Sequence, residues 1–448
     1  MRPGARPAAI LALCALAPLA GCAVYAPEAL TTTLPADPTP ATIGRFERDG
    51  QAIGVDLTAP LDPADLAALA VVLNPELRAQ RARVGVTQAQ VFEAGLLPDP
   101  QFSASLDRPQ SAPGLVDALA ASLGLDTSAF YIRPQALRGA RAGERQARLD
   151  LAWLEWQTGN QASVLAARIQ GLETALTFAR EAEAISSSVL NRSLGAVARG
   201  DLSAVDIEAR RLAEADAADR ARTTERDLTA ARLELNAILG LSPQVQISLA
   251  PLAPAPPCLP ASEALVARAL SDRLDLAALR AGYEAQEAAL HVAVLQQYPR
   301  LNLSLNAARD TGAVRTNGVA VGFDLPLWNR NRGQIAIQEA TREQLRVEYE
   351  ARLFATRADL ATLSSALEIG RRQRSDLLAQ VGPLRTTVEA FERAGTRGDI
   401  AQVIAETARL SLLDKEIALA ALDQAMAEQW RALQMAAGRE LEADACAA

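Results

Sequence analysis

Two halves of this 448-residue chain carry the same sequence pattern at a nearly constant offset. Three pairs of segments align: 74–82 with 273–281, 100–106 with 299–305 and, with the offset one residue shorter, 199–202 with 397–400. An offset kept over this length indicates a tandem duplication. The chain is therefore expected to build one structural unit twice.

The duplication fixes the predicted boundaries of the two units. They meet at a Pro-rich linker, 251–260, with repeat 1 at 60–250, repeat 2 at 261–438 and a C-terminal tail at 439–448. Each repeat reads as a first helix, two strands and a helical hairpin. We predict strands within about 100–126, at about 300–307 and at about 318–325, and hairpin tips at about 195–201 and 395–399.

The strands are predicted from a period of two. In repeat 2 the segments 301–306 and 319–325 alternate large apolar residues with polar or small ones, and repeat 1 shows a weaker form of the same pattern. Residues 310–312 (DTG) and Asn317-Gly318 supply turn chemistry between the two strands. These strands are therefore expected to have one apolar and one polar face.

Helices account for most of the remaining sequence. First helices are predicted at 63–97, interrupted at Asn74-Pro75, and at 262–297. Long segments at 135–197 and 333–394 could each extend about 90 Å at 1.5 Å per residue, with interruptions expected at residues such as Gly159, Gly171 and Pro383. Return helices at 202–239 and 400–437 end at Gly240 and Gly438, where glycine commonly terminates a helix.

Composition excludes several classes of function. Half of the residues are hydrophobic but only 4% are aromatic, which favours long helices packed through small side chains. The 45 basic residues, nearly all Arg, are scattered among 53 acidic ones, so there is no basic patch for nucleic acid. One His and four Cys leave little for metal or nucleophile chemistry. We predict no enzyme activity, no catalytic residue, no metal site and no cofactor.

The N-terminus predicts export. Arg2 and Arg6 precede an apolar run at 8–20, which has the form of a signal peptide, 1–21, followed by a linker, 22–59. The ending Leu-Ala-Gly-Cys resembles a bacterial lipobox, which implies cleavage before Cys22, acylation of its thiol and, with Ala23 next, delivery to the outer membrane. Cys258 and Cys446 then either pair or remain two separate thiols.

Four amphipathic strands per chain are too few to close a water-filled barrel, and an open sheet in lipid has unsatisfied edges. Three chains would give a twelve-stranded barrel above a tube of helices. The predicted lipid-facing residues are Leu301, Leu303, Leu305, Val319, Val321, Phe323 and Leu325, with Asn302, Ser304, Asn306, Gly322 and Asp324 facing the lumen. A half-buried sheet of a soluble domain would show the same alternation, and that alternative stays open.

Further motifs carry a resemblance to a known family. Residues 298–301 (YPRL) enter a strand, 325–333 (LPLWNRNRG) leave one, and Gly395-Thr396-Arg397 stands at a tip. Together with the lipobox and the duplication, over about 60–438, the chain resembles the TolC-type outer-membrane efflux factors. The PLWNRNRG run is most similar to the heavy-metal efflux branch. The resemblance implies a mainly α fold with a small transmembrane β part, forming a trimeric barrel on a periplasmic α-helical tunnel.

The resemblance also implies a function. Such a trimer is a passive conduit that exports small molecules or metal ions, working with a periplasmic adaptor and an inner-membrane pump. The candidate adaptor-contact or gate residues are Gly195, Arg199, Gly200, Asp201, Gly395, Thr396, Arg397, Gly398 and Asp399. In the best-known member of the family, two acids follow the Gly-Thr-Arg of the tip, and this sequence departs from that pattern. The alternative is a non-pore, lipid-anchored periplasmic coiled-coil protein with a structural role.

Overall fold

The computed structural model describes residues 25–30, 46–48, 51–53, 55, 59–110, 113–251, 254–256 and 258–441. The predicted signal peptide, Cys22 and Cys446 lie outside these ranges. The chain divides into two units, Met1–Pro38 and Thr39–Ala448. Residues 25–30 of the first unit are irregular and exposed, and every helix and strand described below belongs to the second.

The described residues form eight helices and six strands. The helices are α1 Pro63–Leu73, α2 Pro75–Gly95, α3 Ala129–Ala198, α4 Ala204–Ile238, α5 Ser262–Asp272, α6 Leu274–Leu295, α7 Arg332–Arg397 and α8 Gln402–Ala437. The strands are β1 Phe46–Arg48, β2 Gln51–Ile53, β3 Gln101–Asp107, β4 Ala118–Asp126, β5 Leu301–Arg309 and β6 Arg315–Phe323. From α1 onward, the order of two short helices, two strands and a long helical hairpin occurs twice.

Both pairs of short helices break at equivalent positions. Asn74 caps α2, because its side chain accepts hydrogen bonds from the backbone N–H groups of Glu76 and Leu77 at 2.9 and 3.1 Å, with Pro75 at the first helical position. Arg273 occupies the same place in repeat 2 with an extended backbone and no side-chain cap. The prediction of one continuous helix at 262–297 is therefore wrong. Repeat 2 has the same break as repeat 1, although it lacks the capping asparagine.

The long helices are uninterrupted. α3 has 70 residues and α7 has 66, so α3 extends about 105 Å. The interruptions predicted at Gly159, Gly171 and Pro383 are wrong. A Cβ on Gly159 would lie 2.9 Å from the Cβ of Ala67 in α1, and one on Gly171 would meet the Gln424 side chain of α8. These glycines allow close helix packing instead of breaking the helix.

Strands β3, β4, β5 and β6 form one antiparallel sheet in sequence order. Asn317-Gly318, predicted as a turn, lies within β6 and pairs with Ala307 and Asn306. The turn occupies 310–314 instead, because the Asp310 carboxylate accepts hydrogen bonds from the backbone of Gly312 and Val314 at 2.9 and 3.0 Å. The strands predicted at 300–307 and 318–325 are shifted accordingly, and Leu325 lies beyond β6.

Each repeat has its own buried apolar cluster. In repeat 1, α1, α3 and α4 meet around Leu66, Leu165 and Leu235. In repeat 2, α5, α7 and α8 meet around Leu265, Leu360 and Trp430. Within the described ranges, no helix has an apolar stretch long enough to cross a membrane.

The linker between the repeats and the residue just before it are hydrogen-bonded to the long helices. The side chain of Gln170 in α3 donates to the carbonyl oxygen of Ala250 at 2.6 Å, and that of Arg371 in α7 donates to Pro256 at 2.6 Å. Cys258 is disulfide-bonded, whereas the other three cysteines lie outside the described residues. Cys258 is therefore not a free thiol.

Candidate membrane sheet and helical tips

Large apolar side chains occupy one face of the four-stranded sheet. The register places Leu125 of β4, Leu303 of β5 and Val321 of β6 in one row, and Leu123, Leu305 and Val319 in the next. Phe102 and Leu106 of β3 continue this face opposite Leu123 and Leu119. The single chain leaves the face exposed, with Val321 62% and Phe102 71% accessible. An apolar surface of this extent marks a contact with a partner or a membrane.

The opposite face is small and polar. Ser122, Asn306 and Gly318 form one row across β4, β5 and β6, and the hydroxyls of Ser103 and Ser122 lie 2.8 Å apart. The predicted lumen residues Asn302, Ser304 and Gly322 share this face. Apolar and polar side chains are separated more clearly across the four strands than the sequence of repeat 1 alone indicated. The reason is that β4 of repeat 1, with its weak alternation, pairs in register with β5 of repeat 2, whose alternation is strong.

Among the described residues, both outer strands of this sheet lack a neighbour on one side. β3 and β6 pair only with β4 and β5, respectively, within the described part of the chain. Unpaired backbone N–H and C=O groups along a strand edge invite pairing with another chain, and in lipid they must be satisfied. The single chain is therefore an incomplete sheet.

Hydrogen bonds fix the base of the sheet to the helices. The backbone N–H and the hydroxyl of Thr127, just before α3, both donate to the carbonyl of Leu301, at 2.9 and 2.8 Å. The Asn331 side-chain amide donates to the carbonyl of Ala293 in α6 at 2.8 Å. The strands of the two repeats are thus held at one end of the helical body.

The two hairpin tips have the same backbone geometry. Gly200 and Gly398 have φ of +82° and +79°, a conformation that glycine adopts without strain. In each tip the glycine N–H bonds back three residues, and the following Asp N–H bonds back five, to Ala196 or Ala394 at 2.9 Å. This is the Schellman arrangement that ends a helix. Gly195, Gly395, Thr396 and Arg397 therefore lie in the last helical turns, before the chain reverses.

In both tips the Arg and Asp that flank the glycine form an ion pair. The Nε atom of Arg199 lies 3.0 Å from Oδ2 of Asp201, and that of Arg397 lies 2.8 Å from Oδ2 of Asp399. Asp399 does not cap the return helix, because α8 begins after Ala401, which makes no side-chain cap. The arginine, two residues away across the turn, holds the carboxylate instead.

Ion pairs also join the hairpins of the two repeats, and sequence reasoning missed them. Arg192 of α3 pairs with Glu406 of α8, and Arg409 of α8 pairs with Glu181 of α3 at 2.6 Å. A third pair joins Arg220 of α4 to Asp414 at 2.5 Å. The partners are about two hundred residues apart, so helical periodicity gives no signal for them.

A buried charge cluster lies at the helix break of repeat 2. Arg273 and Asp275 pair at 2.7 Å with side chains only 6% and 8% exposed, and Arg352 of α7 adds a second cation. The Arg273 guanidinium also stacks 4.6 Å from the Trp153 ring centre. Partial burial raises the pKa of the Asp150 carboxyl, and the nearby charge of Asp275 raises it further. This cluster joins α3, α6 and α7.

Among the described residues there is no group of three or more His, Cys, Asp or Glu placed to hold a metal ion. Many of the acids on the helix surfaces pair with arginines instead.

A mainly helical chain with a four-stranded amphipathic sheet at one end and two long hairpins defines the protomer fold of the TolC-type outer-membrane channels. Solved structures establish this fold. Campylobacter jejuni CmeC matches 92% of this chain and 94% of its own with a TM-score of 0.70 at 12% identity. CusC, described in terms of folding and transmembrane channel formation, matches 92% and 99% with a TM-score of 0.68 at 16% identity. Neisseria gonorrhoeae MtrE in its open state matches 86% and 90% with 0.67 at 17%.

Sequence comparison agrees with the fold. Residues 265–439 match the family Outer membrane efflux protein. The cobalt-zinc-cadmium resistance protein CzcC of Cupriavidus metallidurans is 29% identical over 343 residues, covering 73% of this chain and 78% of CzcC. The family match therefore covers repeat 2, and the likeness to the solved channels extends the shared fold to about nine-tenths of the chain.

Proposed function

We propose that three copies of this chain form the outer-membrane channel of a tripartite efflux system. The observation that carries the proposal is the sheet, because its apolar and polar faces are sorted across all four strands while both edges are unpaired. Joining the β6 edge of one copy to the β3 edge of the next satisfies both edges. Three copies close twelve strands into a barrel with its apolar face in lipid.

The rest of the chain supports the same role. Helices α3 and α7, about 100 Å long, would continue the barrel as a periplasmic tunnel, with the Arg-Gly-Asp tips at the far end. The tips would then contact a periplasmic adaptor and form the gate, and an inner-membrane pump would drive transport. Acylation of Cys22 would add a lipid anchor in the outer membrane. A conduit of this kind needs no catalytic group.

Divalent metal cations are the proposed cargo. The similarity to CzcC, named for cobalt, zinc and cadmium resistance, supports this class of cargo together with the PLWNRNRG segment at 326–333. The channel would not bind these ions tightly. Many of its acids are already paired with arginines, and no metal-ligand cluster occurs in the described residues.

Charge substitutions on the two sheet faces test the proposal. Leu303→Arg or Val321→Arg places a charge on the lipid face, which costs about 2–4 kcal/mol near the midplane of the membrane. We expect the yield of trimer in outer-membrane extracts to fall severalfold. The matched controls Asn302→Arg and Gly322→Arg lie on the same strands but on the opposite, polar face, which would line the lumen. They should preserve the trimer and change conductance.

The yield of assembled trimer is measured for each variant by quantitative mass measurement. Equal yields for the Arg variants of both faces would contradict the barrel. It would then favour the non-pore structural lipoprotein, for which the two faces of the sheet have no membrane to distinguish them.

A further inference from the structure

Two arginines stand opposite each other at the end of the sheet that is remote from the helices. Arg309 ends β5, Arg315 begins β6, and the register pairs them directly. They share a face with Leu303 and Leu305, because residues two positions apart along a strand point to the same side. The apolar face of the sheet therefore ends in two adjacent positive charges, next to the turn between β5 and β6.

The acidic residues at this end of the sheet have other partners or point elsewhere. Among the described residues, the ion pair at this end joins Asp117 to Arg108, at 3.5 Å, and does not include the two opposed arginines. The carboxylate of Asp310 accepts hydrogen bonds from backbone N–H groups of the turn. Asp107 lies on the polar face, because it pairs with Ala118. The two charges are thus left without a carboxylate of their own.

This arrangement has an energetic cost that an anion would remove. Side chains directly opposite each other on antiparallel strands have Cβ atoms about 4.5–5.5 Å apart, and like charges there destabilise the sheet. A phosphate between the two guanidinium groups would neutralise them, and the planar guanidinium fork matches phosphate oxygens with two parallel N–H···O bonds. The pair is therefore better suited to a phosphate than to solvent alone.

The two side chains are placed for such a contact. The Nη2 atom of Arg309 donates to the carbonyl oxygen of Asp117 at 2.8 Å, which fixes this guanidinium against β4. Arg315 is exposed and can turn toward a ligand beside it. One anchored and one adjustable cation form a site that is open to the surroundings of the sheet.

The depth of the pair identifies those surroundings. From Leu301, at the base, β5 rises about 26 Å to Arg309, or about 20 Å along the membrane normal at the usual tilt of barrel strands. The apolar band of such barrels is about 25 Å tall. Exposed Tyr298 and Trp328 at the base are typical of one membrane–water interface. The arginines then lie at the other interface, where their long side chains reach the lipid headgroups.

We propose that Arg309 and Arg315 together bind a phosphate group of lipid A, the phosphorylated glycolipid of the outer leaflet. The proposal rests on the proposed function, which places the sheet in the outer membrane with its apolar face in lipid. It adds one headgroup site per chain at the outer end of the barrel, whereas the apolar face itself contacts acyl chains of any lipid.

Native mass spectrometry of the full-length, delipidated trimer tests the site. The probes are diphosphoryl lipid A and the same molecule with both phosphates removed. We expect the diphosphoryl form to bind about tenfold to a hundredfold more tightly, the range for hydrogen bonds to a charged group. Arg309→Gln with Arg315→Gln should abolish this preference and leave binding of the dephosphorylated lipid unchanged.

A matched control removes the same charge from the other end of the same two strands. Arg300→Gln with Arg330→Gln changes two exposed arginines, one just before β5 and one after β6. This variant should keep the full preference for the phosphorylated lipid. Loss of the preference here would show a general attraction of anionic lipid to the protein and would overturn the site.

The thermal stability of the lipid-free protein gives a second measurement. Arg309→Gln with Arg315→Gln removes a repulsion between like charges, so the variant should melt at the same temperature as the wild type or higher. A lower melting temperature would show that the arginines stabilise the sheet itself. If the variant does not assemble, the preference of the wild-type trimer for the phosphorylated lipid still decides the question.

Three further results would overturn the proposal. These are equal affinity of the wild type for the two lipids, an unchanged preference in the variant that lacks both arginines, and displacement of lipid A by millimolar inorganic phosphate, which would assign the site to a small anion. Conductance of the same samples separates this proposal from the channel. Normal conductance without a phosphate preference contradicts the lipid site alone, whereas silence contradicts the channel.

Discussion

Glycines at equivalent positions of the two repeats set the spacing of the helices. A Cβ on Gly171 of α3 would lie 2.6 Å from Cγ of Gln424, and one on Gly370 of α7 would lie 2.9 Å from Cγ of Met426. Both contacts are with α8, which therefore packs closely against both long helices at residues two positions apart. The absence of a side chain, and not backbone flexibility, is what these two positions require.

Gly171→Ala should therefore destabilise the protein, because the added methyl group collides with Gln424 in a packed interface. Overpacking of this kind costs about 1–3 kcal/mol. The matched control is Gly143→Ala in the same helix, where a Cβ meets nothing within 4 Å. It should be neutral or stabilise by up to about 1 kcal/mol, as alanine does in a helix. Thermal unfolding of the two variants checks the difference, and equal melting temperatures would contradict it.

The buried pair of Arg273 and Asp275 makes a second prediction at this scale. Asp275→Ala leaves the buried Arg273 without its carboxylate, and breaking such a pair costs about 3–5 kcal/mol. Asp414→Ala removes the carboxylate of an exposed pair with Arg220 and should cost no more than about 1 kcal/mol. Denaturant midpoints measure both losses. Similar shifts for the two variants would show that the cluster is not a structural anchor.

At the scale of elements, the Arg-Gly-Asp tips combine a strain-free turn with an exposed ion pair. The side chains of Arg199 and Arg397 are about two-thirds exposed, so each pair contributes little to stability. Reversing both charges, Arg199→Glu with Arg397→Glu, should leave trimer yield and heat stability unchanged. We expect altered closed-state conductance or loss of efflux in cells that carry the cognate pump, because the tips would meet the adaptor.

The control for the tips reverses two exposed helix arginines elsewhere, Arg222→Glu with Arg346→Glu, and should transport normally. Normal gating and efflux in the tip variant would refute the assignment of the tips. Misfolding of that variant would instead show that the arginines have a structural role.

The sequence predicted elements better than their connections. A period of two in residues 301–306 depends only on local alternation, so it identified the faces of β5 before any pairing was known. The register between β4 and β5 joins residues of different repeats, and no local pattern encodes it. The Arg192–Glu406 pair was missed for the same reason, since it also joins residues of different repeats. The prediction that Gly159 and Gly171 interrupt α3 was wrong because the effect of a helical glycine depends on which residues pack against it.

At the scale of the whole molecule, each feature of the single chain points to a larger assembly. The sheet has two open edges and an exposed apolar face, and the long helices carry exposed apolar side chains such as Phe354. A trimer embedded in an outer membrane would cover these surfaces with neighbouring chains and lipid. The duplication then supplies two similar hairpins per chain, so that three chains can enclose a tunnel.

Single-channel recording in planar bilayers tests the central claim most directly. Purified trimer added to one side should produce discrete, stable conductance steps that Asn302→Arg shifts in size or ion selectivity, since Asn302 lies on the polar face of the sheet. Leu303→Arg should yield few or no steps, because the charged face cannot assemble in lipid. A bilayer that stays silent with well-folded, trimeric wild-type protein would contradict the assignment of this chain as a channel.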